Sequence, residues 1–265
     1  AQGNFRIARV CAKSLLAHVR ENLTRAQNAT LEMLQRQGFV TVVRWRARER
    51  CVLAMLAHVH EKDGDILQAL KLYQYVIRKL CPTQEERSIK FVWLSHLHAF
   101  YLRNGILDEA KPILNEIEAQ SSSDAEAAAV QFCQGCYHIG VNDYKTAKDH
   151  FSNAQRSFSK FDKDKQPVLN DLNGLSSSNG LKRCTSACAN NHAICCLHQK
   201  QLLPAVDSIE TLLRQDPVSF LSRALVDNLY AFYNFLNDCE DKKSIVKQVA
   251  SLYVPDDLGA VIDVV

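Results

Sequence analysis

The sequence of 265 residues has few of the residues that end helices and form turns, with only 9 glycines and 6 prolines. A protein built of many short strands needs many tight turns, which these two residues supply. Their scarcity therefore favours long helices joined by short connections. No stretch approaches the about 20 consecutive apolar residues that a membrane-spanning helix requires, so none is expected. The chain begins at Ala1 and not at a methionine, which fits a fragment of a longer protein.

The sequence also lacks a strong excess of one charge, since 32 basic residues stand against 29 acidic ones. Proteins that neutralise phosphates usually carry a larger basic excess on one face. The densest basic run, Arg44 to Arg50, places its four arginines two positions apart, which spreads them around a helix. We interpret this run as a solvated helix start and expect no nucleic-acid partner.

The ten cysteines are irregularly spaced in a chain of this length. This pattern is typical of reduced thiols in a cytoplasmic protein and not of a disulfide framework. Cys133 and Cys136 are followed by His138, and Cys184 and Cys188 form a second pair with metal-ligand spacing. Cys133, Cys136 and His138 fall inside one predicted helix, without the turn that usually separates zinc ligands. We therefore predict buried free cysteines and no structural metal.

No motif of an enzyme is present: the sequence shows no phosphate-binding glycine-rich loop and no nucleophile elbow. The sequence also places no two carboxylates on predicted elements that would bring them together as an acid–base pair. We expect no catalytic activity and no cofactor.

A pattern recurs around four alanines, which are Ala69, Ala110, Ala147 and Ala205. Five positions before each alanine stands a residue expected in a turn between two helices, namely Gly64, Gly105, Asn142 and Lys200. Four positions after each alanine stands a large apolar residue, namely Tyr73, Leu114, Phe151 and Ile209. A small residue allows two helices to cross closely, and the large residues fill the space beside the crossing. Because neither helix of such a pair buries its apolar stripe alone, the pairs must stack.

This spacing is typical of tetratricopeptide repeats (TPR), so we predict an all-α, right-handed α-solenoid. The predicted organisation has N-terminal helices over 1–49, TPR-like repeats with insertions over 50–159, and one further repeat over 186–217. Residues 160–185, rich in Asp, Lys, Asn, Ser and Gly, are expected to form a flexible insertion loop. Residues 218–265 are expected to supply capping helices.

One functional subtype of TPR protein can be tested from the sequence. Co-chaperones of this fold hold a terminal carboxylate with Lys and Asn four apart on one helix, and Lys and Arg four apart on a later one. No arginine stands four positions after a lysine anywhere in the sequence. The single lysine with an asparagine four positions later is Lys111, paired with Asn115, and this pair falls on a predicted outer helix. The co-chaperone function is therefore not expected.

The last third of the chain carries a more specific set of motifs. Asn190-Asn191-His192-Ala193-Ile194-Cys195-Cys196-Leu197 leads into Ala205 and then Leu212-Leu213-Arg214-Gln215-Asp216-Pro217. After these come Leu225-Val226-Asp227-Asn228-Leu229-Tyr230, Tyr233 and Lys242-Lys243. In order and spacing these motifs resemble the C-terminal TPR region of the subunit 12 family of the trafficking protein particle (TRAPP) complex.

The resemblance implies a non-catalytic scaffold subunit of a vesicle-tethering complex, acting through protein–protein contacts in ER-to-Golgi transport and autophagy. It implies other subunits as partners, peripheral membrane association through the complex, and a cytoplasmic location near the Golgi or the ER–Golgi intermediate. Two alternatives remain: a TPR adaptor in another assembly, such as a ubiquitin ligase or ciliary transport complex, and a regulator that binds short peptides.

The concave groove is where TPR proteins most often hold a ligand. Placing the chain on TPR geometry puts sixteen positions there, of which Glu61 alone is charged. We expect an apolar helix, from a partner or from the chain itself, to occupy this groove. The alternative is that tight winding of the superhelix closes the groove. The residues predicted to bind it are Leu102, Phe132, Cys136, Ile139, Asn190, Ile194 and Leu197.

Overall fold

The computed structural model describes residues 2–33, 36–81, 86–163, 178–237 and 239–253. Within these ranges the regular structure is helical and no strand occurs. The helices are α1 (Gln2–Met33), α2 (Arg36–Lys62), α3 (Ile66–Tyr75), α4 (Arg87–Arg103), α5 (Leu107–Gln120), α6 (Asp124–Gly140), α7 (Tyr144–Lys163), α8 (Ser178–His198), α9 (Leu202–Gln215), α10 (Pro217–Phe220), α11 (Arg223–Tyr233) and α12 (Cys239–Tyr253). A short π-helical segment, Val76–Leu80, extends α3. The predicted all-α repeat fold is confirmed.

The four turns predicted from the repeat are the left-handed positions of the described backbone. Gly64, Gly105, Asn142 and Lys200 have φ angles of 83°, 70°, 61° and 61°. Each turn repeats one hydrogen-bond pattern, in which the amide after the left-handed residue reaches back five positions. The first is donated by Asp65 N–H to the His60 carbonyl over 2.8 Å, and the third by Asp143 N–H to the His138 carbonyl over 2.8 Å. This closure satisfies carbonyls that the helix end would leave unpaired.

The four anchor alanines lie in helices α3, α5, α7 and α9, and each has no exposed surface. The large residues four positions later are buried with them, at 5% exposure or less. A buried alanine at every crossing lets the paired helices approach closely, and the larger side chain covers the crossing from one side. The repeat therefore reflects packing between the two helices of each pair.

The chain divides into two compact units, Ala1–Leu97 and His98–Val265. The boundary falls inside α4, which belongs to the second predicted repeat.

In the first unit, α1 packs along α2. Its buried stripe consists of Ala12, Leu16 and Val19. Beside it the Arg20 Nε donates a hydrogen bond to the Glu49 carboxylate over 2.7 Å. Three arginines of the basic run, Arg44, Arg46 and Arg48, are exposed as expected, but the run lies inside α2 and not at its start. Arg50 differs from the expectation: it is buried, lies 3.6 Å from the Glu86 carboxylate and donates to the Leu80 carbonyl.

Two predicted domain boundaries need correction. Helix α2 runs through the expected boundary at residue 49, because its apolar stripe continues from the N-terminal helices into the first repeat. The expected loop over 160–185 is shorter than predicted, since α7 reaches Lys163 and α8 begins at Ser178. Residues 164–177 of that loop lie outside the described residues.

Among the helices described, none combines the length and apolar character that crossing a membrane requires.

Candidate protein-binding groove

The residues predicted to line a groove lie in the second unit, on three helices. Leu102 is on α4, Phe132, Cys136 and Ile139 are on α6, and Asn190, Ile194 and Leu197 are on α8. All seven side chains are half-buried. They are therefore neither core residues closed to solvent nor a fully exposed surface.

The three predicted residues of α6 come together between α6, α7 and α8. They pack against a buried cluster formed by Ala147, Phe151 and Cys195. The ring of Phe132 meets that of Phe151 edge to face, with 5.6 Å between centroids. Phe132 is thus held mainly by its own neighbours, and Cys136 and Ile139 present the remaining apolar surface of this patch.

Two glycines allow α6 to approach its neighbours closely. A Cβ added to Gly135 would lie 2.8 Å from the Phe151 ring, and one added to Gly140 would lie 2.9 Å from Leu107 Cδ2. The Leu102 side chain is also next to Gly140, at 3.5 Å from that added atom. Leu102 therefore adjoins the end of α6 that carries Ile139.

The predicted residues of α8 adjoin the last helices. Ile194 and Leu197 pack against the C-terminal core, which includes Leu225, Leu229 and Tyr233. The Asn190 side chain accepts a hydrogen bond of 2.7 Å from the Asn228 side chain on α11. The amide group gives this otherwise apolar stretch a polar point of attachment between two helices.

Three cysteines near the predicted groove, Cys136, Cys188 and Cys195, carry thiols whose pKa is raised by burial. Burial raises the pKa of Cys188 and Cys136, and it raises the pKa of Cys195 to about 12. Thiols that stay protonated at neutral pH are poor nucleophiles and poor metal ligands. In the described part of the chain, no three His, Cys, Asp or Glu side chains are placed to hold a metal ion.

Two pairs of histidines stand two positions apart on helices, and the members of each pair lie in different surroundings. His58 is exposed while His60 is buried, and His96 is exposed while His98 is buried. Residues two positions apart on a helix point in opposite directions, which explains the separation. The buried His60 Nδ1 lies 3.2 Å from the Asp65 carboxylate beside the first repeat turn.

A second candidate surface was not predicted from the sequence. It is a cleft of about 320 Å³ between α9 and α12, which we call the α9–α12 cleft. Its signal in the sequence is the spacing of Ile245, Val249 and Tyr253 at every fourth position of α12. This spacing marks one helix face, but it does not show that the face is left open by the neighbouring helix.

Comparison with known proteins gives three similarities. Residues 50–163, less than half of the chain, match the family described as the TT21 fifth ARM repeats domain. The chain is 22% identical over 251 residues to human trafficking protein particle complex subunit 12. This alignment takes in 93% of the chain but 29% of the human protein, so the chain corresponds to less than a third of that relative.

The third similarity is structural. The crystal structure of BtubC (BKLC) from P. vanneervenii superposes with a TM-score of 0.58 and 15% sequence identity, over 90% of this chain and 89% of that one. At this identity the likeness shows the fold alone. Together the comparisons support a helical-repeat region of ARM or TPR type, with a distant similarity to the TRAPP subunit.

Proposed function

We propose that this chain is a non-catalytic scaffold region of a TRAPP-like vesicle-tethering complex, acting through protein–protein contacts in ER-to-Golgi transport and autophagy. The observation that carries the proposal is the similarity to human trafficking protein particle complex subunit 12 along 93% of the chain. A similarity limited to the repeats would support only a generic repeat protein. Here it extends through both compact units and the last helices.

The site supports binding and not catalysis. Its side chains are apolar or amide groups, and none of the seven predicted groove residues carries a charge. Apolar surface that remains partly accessible on packed helices is suited to contact another protein. We propose that a partner subunit contacts Leu102, Ile139, Ile194 and Leu197, with Asn190 as a polar contact.

On this proposal the protein is cytoplasmic and reaches the Golgi or the ER–Golgi intermediate through its complex. Its partners are the other subunits, and its action requires neither nucleic acid nor cofactor.

A second candidate is an adaptor in a different assembly. The match of residues 50–163 to TT21 ARM repeats favours it, because that match rests on the repeats themselves. The two candidates differ in which proteins accompany the chain in its native cell.

The test is affinity purification of the tagged protein from its native source, with identification of the co-purifying proteins. The proposal predicts subunits of a TRAPP complex in near-equal amounts. A groove variant, Ile139→Gln, should lose at least one of them while retaining its helical circular dichroism. The matched control is Leu203→Gln, because Leu203 is 69% exposed and lies outside the groove. A complete set of subunits of another assembly would favour the adaptor instead.

A further inference from the structure

The α9–α12 cleft is an open apolar site near the end of the described chain. Its apolar lining includes Leu213, Leu221, Leu229, Ile245 and Val249. Its volume of about 320 Å³ is at the lower end of the about 300–1,000 Å³ range of ligand pockets. A cleft of this size holds a few aliphatic side chains.

The exposed face of α12 adds to this apolar surface. Ile245 is 59% exposed, and Leu252 and Tyr253 are 76% and 50% exposed. Three exposed large side chains on the last turns of one helix, beside an apolar cleft, are unusual for a surface that stays in water. We therefore expect another polypeptide segment to cover this apolar surface.

The charge of the cleft indicates what kind of segment fits it. Among its lining residues two are cations, Arg214 and Lys242, and one is an anion, Glu210. The Glu210 carboxylate already accepts hydrogen bonds from Tyr233 over 3.0 Å, from Lys242 over 3.2 Å, and from Arg214. The Arg214 side chain remains 72% exposed. The cleft thus suits an apolar segment that carries carboxylates.

The chain supplies a sequence of that kind directly after the cleft. Residues 254–265 read VPDDLGAVIDVV, with three aspartates, no basic residue and aliphatic residues at most other positions. They follow Tyr253, which itself lines the cleft. The second residue of this segment is Pro255, and proline disfavours a helical backbone at the residue before it.

The length of this segment is sufficient for it to return along the cleft. Twelve residues span up to about 40 Å when extended, at about 3.3 Å each. Helix α12 has 15 residues, which corresponds to a length of about 22 Å. A tethered segment also has a high effective concentration at the site, which favours it over a separate molecule of equal intrinsic affinity.

We propose that residues 254–265 dock in the α9–α12 cleft of the same chain, with aliphatic side chains between Leu213 and Ile245 and aspartates beside Arg214 and Lys242. The inference does not rest on the proposed trafficking function. Docking would bury the exposed apolar side chains of α12.

The test is photo-crosslinking in the full chain. The photoreactive residue p-benzoylphenylalanine replaces Val261 or, in a second variant, Leu258, and the irradiated protein is digested and analysed by mass spectrometry. The proposal predicts crosslinks within one chain to peptides containing Leu213, Leu221, Ile245 or Val249. The same probe at Leu203, which does not line the cleft, should give none of these crosslinks.

A second experiment reverses the charge of the two cations that line the cleft. Arg214→Glu combined with Lys242→Glu should lower the yield of cleft crosslinks by about threefold to tenfold, because both favourable pairs become repulsive. Arg223→Glu, a similarly exposed arginine on α11 that does not line the cleft, should leave the yield unchanged. Crosslinks between two chains would assign the cleft to a second copy. Crosslinks elsewhere from both probe positions, or none from either, would overturn the proposal.

Discussion

The Asn228 side-chain amide donates a hydrogen bond of 2.7 Å to the Asn190 Oδ1 and so joins α11 to α8. Both asparagines are half-buried. The Asn190 amide in turn donates to Asn191 over 3.4 Å, so its polar groups are engaged on two sides. The pair fixes the position of the last helices relative to the predicted groove without using charge.

A double-mutant cycle measures this relationship. Asn190→Ala and Asn228→Ala should each lower the free energy of unfolding by about 1 kcal/mol, partly offset by the better helix propensity of alanine. Because the two groups bond each other, the double variant should lose less than the sum, with a coupling of about 0.5–1.5 kcal/mol. Urea denaturation gives all four values. Additive losses would show that the hydrogen bond contributes nothing in solution.

At the left-handed turn positions, replacing glycine and introducing glycine should have opposite effects on the stability of the protein. A Cβ on Gly105 would have no atom within 4 Å, so Gly105→Ala tests the backbone conformation alone. It should destabilise the protein by about 1–2 kcal/mol, the strain of a left-handed residue with a Cβ. Lys200→Gly should instead stabilise it by about 0.5–1 kcal/mol, because relief of strain exceeds the added entropy of the unfolded chain. Thermal denaturation measures both effects. A change in melting temperature of the same sign for both variants would contradict the assigned left-handed turns.

Gly135 tests the close approach of α6 and α7. Replacing a glycine by alanine inside a helix usually stabilises it by about 1 kcal/mol. Here the added Cβ would lie 2.8 Å from the Phe151 ring, so overpacking at a cost of about 1–3 kcal/mol should prevail. Gly135→Ala should therefore lower the melting temperature. Adding Phe151→Leu should make the Gly135→Ala substitution less harmful than it is in the wild type, and an unchanged penalty would show that the clash is relieved elsewhere.

His98 makes the second unit sensitive to acid. Its side chain is buried, its Nε2 has no hydrogen-bond partner in the described structure, and burial together with Lys111 lowers its pKa from 6.5 to about 4. The unfolded chain therefore takes up a proton at higher pH than the folded one. The stability that depends on neutral His98 is complete above pH 6.5 and is lost as the pH falls toward 4, by about 3 kcal/mol in total.

The measurement is urea denaturation between pH 7.5 and 4.5. His98→Leu should flatten the pH dependence over this window, since leucine has a similar volume and no titrating group. His58→Leu, at a position whose side chain is 60% exposed, should leave the slope as it is in the wild type. If both variants keep the same slope, other groups account for the acid sensitivity.

The features that could be predicted from the sequence are those set by local spacing. The four anchor alanines and their turns recur at fixed offsets, because each pair of helices must cross at a small residue and reverse direction through a left-handed one. Gly64 and Asn142 were identified in this way. The all-α fold follows from the same repetition.

What could not be predicted depends on contacts between helices distant in sequence. The division within α4 has no local signal, since the helix continues across it. Whether groove positions such as Phe132 stay open depends on how Phe151 packs against them. The α9–α12 cleft depends on the distance between two helices whose own patterns are ordinary amphipathic ones.

The proposal that this chain is a scaffold region of a TRAPP-like tethering complex can be tested in a native extract without any tag. Size-exclusion chromatography combined with quantitative mass spectrometry follows the elution of the protein beside every other protein. If the proposal is right, most of the protein elutes with the subunits of a TRAPP complex, far above the mass of the free polypeptide, and in a constant ratio across the peak. Elution as a free chain, or at a constant ratio with the subunits of another assembly, would contradict it.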